Sequence, residues 1–196
     1  MSASLVGSEM CIRDRYGNHT HFLADALIPT LVNHPRETAV IVHPNNVSMP
    51  VLGRITPYLG ALPLPDDRGA MKHFLEALTW HTDCGDCIMI YPEAHIWPFY
   101  TGIRPFPDTS FRYPVQQKLP VFCLTNTYQR RGKSHIPQVV TYLDGPFYPN
   151  AELPAKLQKT QLRDQVYEAM GKRAQNSNME MICYIKKDTD REKSYI

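Results

Sequence analysis

Two short stretches of this 196-residue chain concentrate side chains that can move protons and hold charge. The first is Gly17-Asn18-His19-Thr20-His21-Phe22-Leu23-Ala24-Asp25, where histidines and a carboxylate stand at the head of a helical pattern. A histidine near neutrality can take a proton from a hydroxyl, while a neighbouring Asp fixes its tautomer and stabilises the imidazolium that forms. The same residues also suit a capped helix with surface histidines. The second stretch is Ile88-Met89-Ile90-Tyr91-Pro92-Glu93-Ala94-His95-Ile96-Trp97-Pro98-Phe99. Pro92 cannot continue a β-ladder, so Glu93 is delivered at a strand end, where α/β sheets build their sites. An ordinary loop carboxylate is the alternative.

Cys84-Gly85-Asp86-Cys87 invites a redox or zinc reading. Redox C-x-x-C pairs precede a helix whose N-terminus lowers a thiol pKa, whereas this one follows a helical pattern and precedes a strand. A zinc site needs four ligands, and no second pair is spaced to join it, so no metal is expected. Gly85 reads as a helix C-cap. The other histidines, His34, His43, His73, His81, His95 and His135, show no ligand spacing. Trp80 and Trp97 read as packing residues or interfacial anchors.

The elements that must hold these groups follow from the apolar pattern. Helical periodicity covers His21 to Val32, and Gly69 to Thr82 places Met71, Phe74, Leu75 and Leu78 on one face. Leu153 to Ala174 repeats the pattern with Leu153, Leu157, Leu162, Val166 and Met170. Short apolar runs at Ala39 to Val42, Leu62 to Leu64, Cys87 to Tyr91, Val121 to Thr125 and Val139 to Leu143 read as strands. Strands alternating with helices give a layered α/β domain.

Bulk properties narrow the class. With 43% apolar and 20% charged residues the chain suits one globular domain. A net charge of +2, with no Lys/Arg block, excludes a nucleic-acid reading. Five cysteines, an odd number, point to a reducing compartment, and no run approaches the roughly 18 apolar residues of a membrane span. A soluble or peripheral protein is expected. Residues 1–15 show no periodicity and resemble a translated adaptor, so a non-native leader is expected there, with the domain over 16–180 and a polar tail over 181–196.

Together the two stretches resemble the phospholipid/glycerol acyltransferase family. Asn18-His19 with Asp25 is similar to its catalytic Asn-His…Asp element, and Tyr91-Pro92-Glu93 to its Phe-Pro-Glu-Gly-Thr-Arg element. Gly60-Ala61-Leu62-Pro63-Leu64 with Arg68 resembles the intermediate element, and Leu119-Pro120-Val121-Phe122 the apolar-Pro-apolar one. Asp144-Gly145-Pro146-Phe147 is similar to the turn before the last helix. The spacing is His-x5-Asp where the family has His-x4-Asp, which leaves His21 as a competing base, and Ala94-His95-Ile96 stands where the family has Gly-Thr-Arg.

The resemblance implies an αβα domain with a mixed, mostly parallel sheet, acting at the cytoplasmic face of a membrane as a peripheral protein. It implies acyl transfer from acyl-CoA or an acyl carrier protein, with no resident cofactor, to a lysophospholipid such as lysophosphatidate. His19 and Asp25 would be the base pair, and Arg68, Glu93, Arg104, Gly60 and Pro92 would line the acceptor site. Backbone N–H groups near His19 would serve the oxyanion. The altered spacing also allows a lipid-binding module that has lost catalysis.

Overall fold

A computed structural model describes residues 14–21, 24–44, 60–65 and 67–185. In chain order these form β1 (Asp14–Gly17), α1 (Ala24–Asn33), β2 (Thr38–Val42), β3 (Ala61–Pro63), α2 (Arg68–Asp83) and β4 (Cys87–Ile90). A 3-10 turn, Thr109–Phe111, leads into α3 (Arg112–Gln117), followed by β5 (Val121–Gln129), β6 (Gln138–Phe147) and α4 (Ala155–Ala174). The six strands make one sheet in the order β3-β2-β4-β1-β5-β6, parallel except for β6, which returns antiparallel to β5. The fold is therefore α/β with a mixed, mostly parallel sheet.

Period-two alternation makes the sheet the middle of three layers. Tyr16, Ile88, Ile90, Val121 and Cys123 point to one face, where they pack with Phe74 and Leu78 of α2 and with Leu162, Val166 and Met170 of α4. Gly17, Met89 and Leu124 point to the other, against Ile28 and Pro29 of α1. The apolar stripe of α4 begins later than the sequence suggests: Leu157 is 52% exposed and Leu153 precedes the helix, so the buried set is Leu162, Val166, Met170 and Ala174.

β1 takes in Asp14 and Arg15, and it lies at the centre of the sheet, paired with β4 on one side and β5 on the other. The expected boundary between 15 and 16 therefore falls inside a buried strand, while Leu5, Val6 and Ile12 lie outside the described residues. Burial pushes the Asp14 carboxyl up to about 7, and among the described residues its Oδ2 has no hydrogen-bond partner. Within the expected tail, Tyr184 packs onto the loop after β4. Residues 186–196 lie outside the described set.

Candidate active site

β1 and β4 are adjacent parallel strands, so their carboxyl ends emerge side by side. Asn18 and His19 leave the end of β1, and Tyr91, Pro92 and Glu93 leave the end of β4. This is where an open α/β sheet places ligands.

His19 Nδ1 lies 2.9 Å from Asp25 Oδ2, with the imidazole 26% exposed and the carboxylate 2%. A carboxylate on Nδ1 keeps the proton there and leaves Nε2 as the acceptor. Asp25 Oδ2 also accepts from the backbone N–H of Thr20 and of His21, each at 2.9 Å, and Oδ1 accepts from Asn126 Nδ2 at 3.0 Å. The added residue between His19 and Asp25 is thus absorbed by a turn wrapped around the carboxylate. His21 takes a different place: its Nδ1 accepts from the N–H of Ala24 at 3.2 Å, at the start of α1, and its ring meets the edge of Phe99.

Further residues brace the pair. Asn126 is itself held by Asn18, which accepts from its N–H at 2.8 Å and donates to its carbonyl at 3.0 Å, and by Thr141 Oγ1 at 2.7 Å. Tyr91 stacks on the imidazole with centroids 4.7 Å apart, and its hydroxyl donates to the Asp25 carbonyl. Burial and the nearby Asp25 charge raise the Tyr91 pKa, so the phenol stays protonated. Tyr128 donates to Thr20 Oγ1 at 3.0 Å. Sequence reasoning passed over Asn126 and gave Tyr91 no role. The signal for Asn126 was Thr125-Asn126-Thr127, a polar run inside a buried strand, since buried polar side chains need partners.

Glu93 is buried and fully engaged. Oε1 accepts from the Arg104 N–H at 3.0 Å, and Oε2 accepts from Arg104 Nη2 at 3.0 Å and Nε at 3.3 Å. Oε2 also takes the His19 N–H at 3.3 Å, which ties the two loops together. Arg104 Nη2 donates in addition to the His95 carbonyl, and the guanidinium lies 4.8 Å over the Trp97 ring. The expected oxyanion donors are accordingly committed: the N–H groups of His19, Thr20 and His21 all point at carboxylates. Trp97 N–H donates to the His19 carbonyl and Phe99 N–H to that of Thr20, so the loop after β4 is stitched to the base segment.

Pro92 stands next to Glu93, two residues after β4 ends at Ile90, whereas Gly60 is not brought to the dyad. It precedes edge strand β3, against the start of β2, where a Cβ would come within 2.2 Å of the Thr38 carbonyl oxygen. With three strand spacings between β3 and β1 it stands about 14 Å away in the sheet and at the opposite end. Its job there is close backbone approach at a positive φ of 78°. Arg68 opens α2 at the carboxyl end of the parallel strands, and its side chain is outside the described residues. Leu119 to Phe122 and Asp144 to Phe147 meet at the amino end, where Arg173 of α4 grips Asp144 at 2.6 Å.

Cys84 caps α2, and Gly85 follows at φ 77°. Cys87 is buried at the start of β4, which pushes its thiol up to about 11, far from the thiolate that redox or zinc chemistry needs. Among the described residues no cluster of three His, Cys, Asp or Glu side chains is placed to hold a metal ion.

The fold is similar to that of the 1-acyl-sn-glycerophosphate (LPA) acyltransferase PlsC from Thermotoga maritima. The superposition has a TM-score of 0.55 and covers 85% of this chain and 70% of that one, at 16% sequence identity. At that identity the likeness establishes a shared fold. No family model and no curated protein matches the sequence.

Proposed function

We propose that this protein is an acyltransferase that moves a fatty acyl group from a thioester to the free hydroxyl of a lysophospholipid. The observation that carries the reading is the His19–Asp25 pair, closed at 2.9 Å across an unusual spacing, at the carboxyl end of a sheet shared in fold with an LPA acyltransferase. His19 Nε2 takes the proton of the acceptor hydroxyl as its oxygen attacks the thioester carbonyl. Collapse of the tetrahedral intermediate breaks the C–S bond, and the imidazolium returns the proton to the departing thiolate. Asp25 stabilises the imidazolium between these steps. Acyl-CoA or an acyl carrier protein is the donor.

In this reading the loop from Pro92 to Arg104 forms the acceptor side of the site. Glu93 and Arg104 satisfy each other, so they shape that loop, and Arg68, at the head of α2, is the cation assigned to an acceptor phosphate. The working surface is a membrane face. Leu27 and Leu31, one turn apart on α1, are 55% and 73% exposed immediately after the dyad, which suits contact with lipid. No described helix is long and apolar enough to cross a membrane.

The test is acyl transfer by purified protein, with labelled acyl-CoA or acyl carrier protein and a panel of lysophospholipids in vesicles. Transfer abolished by His19→Ala supports the reading, and no product with either donor on any acceptor would refute it. Within that assay, Arg68→Ala should lower kcat/KM about tenfold to a hundredfold for lysophosphatidate, the worth of charge-assisted hydrogen bonds, and little for a neutral monoacylglycerol. Equal losses on both would remove phosphate recognition and leave acyl transfer standing.

A further inference from the structure

After α4 the chain turns back over the carboxyl end of the sheet. Ser177 Oγ accepts from the Tyr128 N–H at 3.2 Å, the N–H groups of Asn178 and Met179 both donate to the Tyr128 carbonyl, and Asn178 Oδ1 takes the Arg130 N–H at 2.7 Å. Anchored on the end of β5, the segment runs on to Tyr184. Met181, Ile182, Cys183 and Ile185 around it are exposed, and Tyr184 is the side chain directed at the domain. Its ring stacks on Trp97 with centroids 4.9 Å apart and planes 13° from parallel, it meets Tyr100 edge-on at 5.4 Å, and its hydroxyl donates to the Pro98 carbonyl at 2.9 Å.

These contacts fall on the residues that connect the loop to the dyad. Trp97 donates its N–H to the His19 carbonyl and carries the Arg104 guanidinium on its ring, and Arg104 holds Glu93, which accepts the His19 N–H. A side chain that fixes Trp97 therefore fixes both attachments of the loop to the base.

We infer that residues 177–185 are a clasp on the loop after β4, and that Tyr184 is a positioning residue that sets acceptor affinity through Trp97. The acceptor part rests on the function proposed above; the clasp itself does not. Tyr184 touches neither His19 nor Asp25, so its loss should disturb where the acceptor is held more than the proton transfer.

Two measurements on the full chain test this. In the acyl-transfer assay Tyr184→Ala should raise the acceptor KM about tenfold, since a stacked aromatic pair together with its hydrogen bond is worth roughly that factor. Donor KM should not change and kcat should stay within about threefold, because removing binding shared by ground and transition states moves KM alone. Tyr184→Phe, which keeps the ring, should recover most of the affinity. The second measurement needs no activity. With two tryptophans in the chain, Trp80→Phe leaves Trp97 as the sole tryptophan, and under selective tryptophan excitation adding Tyr184→Ala should increase acrylamide quenching of its fluorescence.

Unchanged quenching would overturn the clasp, whatever the enzyme does. Increased quenching with an unchanged acceptor KM, or with kcat and both KM values altered alike, would overturn the positioning role in an active enzyme. A wild type without acyl transfer would refute the proposed function and the acceptor assignment with it, while the quenching result would still decide the clasp.

Discussion

The two ends of the sheet each carry a His–Asp pair, and the pairs are nearly the same in isolation. At the carboxyl end His19 meets Asp25 at 2.9 Å; at the amino end of β4 His81 meets Asp86 at 2.8 Å. The second pair even has the His-x4-Asp spacing that the first lacks. Their surroundings differ. Asp25 is 2% exposed and gathers two backbone N–H groups and Asn126 besides the histidine, whereas His81 and Asp86 close the turn after α2, with the Asp86 N–H donating to the His81 carbonyl. A histidine becomes a candidate base through what holds its carboxylate and which end of a parallel strand it leaves, and spacing alone does not select it.

The sharpest way to break this contrast is to remove each histidine. His19→Ala should reduce turnover by about 10²–10⁴-fold, the usual worth of a general base, with the fold retained. His81→Ala should leave turnover unchanged and cost roughly 0.5–1.5 kcal/mol of stability for the lost hydrogen bond. Steady-state rates and thermal melts on the two variants read both. Loss of turnover in His81→Ala alone would reverse the assignment of the two ends.

The next contrast concerns buried charge. Arg104→Ala leaves Glu93, 0% exposed at its side chain, without its cation, and breaking such a buried pair costs roughly 3–5 kcal/mol. A large fall in Tm, with equal losses on phosphorylated and neutral acceptors, is the expected result. A selective loss on phosphorylated acceptors with Tm unchanged would instead give Arg104 the phosphate.

At the amino end the carboxylate of Asp14 is buried, and among the described residues its Oδ2 accepts no hydrogen bond. Asp14 titrates near 7 when folded against 3.8 as a free side chain, so the folded state binds its proton more tightly. That contribution is complete below the unfolded value and is lost as pH rises through the folded one. Asp14→Asn should therefore match the wild type near pH 4 and exceed it by a few kcal/mol above pH 7, read as Tm difference against pH. A difference that stays constant with pH would show that Asp14 is not the group that titrates.

How much of this was legible follows from what each element displays. β2, β4 and β5 announce themselves as short apolar runs, and α2 and α4 by helical spacing. β1 does not, because Asp-Arg-Tyr-Gly has no apolar pattern, and its strand character comes from pairing on both sides with β4 and β5. His19, Asp25 and Glu93 were visible as residue types after Gly17 and Pro92. That His19 and not His21 meets Asp25 depends on how a turn wraps one carboxylate, and that Arg104 is spent on Glu93 depends on a contact across eleven residues. Neither has a periodicity. Tyr184 sat in a stretch read as polar tail, and its place is set by Trp97, far away in sequence.

The smallest predicted effect compares backbone strain at the two ends. Left-handed positions at the amino ends of β3 and β4 are glycines, Gly60 at φ 78° and Gly85 at φ 77°, with Lys118 before β5 as a helix-cap exception. In the loop after β4 they are Ala94 at φ 65° and Phe99 at φ 58°, and Ala94 follows the carboxylate that holds the base segment. A Cβ in that region costs roughly 1–2 kcal/mol, and glycine gives back part of the gain because its unfolded chain is freer by about 0.4–1 kcal/mol. Ala94→Gly should thus stabilise the protein by up to about 1 kcal/mol, a rise of roughly 2–4 °C in Tm for a domain of this size. Gly85→Ala should do the reverse at the amino end and leave turnover alone. If strain at Ala94 helps hold Glu93 in place, Ala94→Gly gains stability and loses some kcat/KM, because glycine lets the peptide after Glu93 relax. A variant that gains in both would show that the strained alanine serves no purpose at the site, and the contrast between the two ends would then rest on the carboxylates alone.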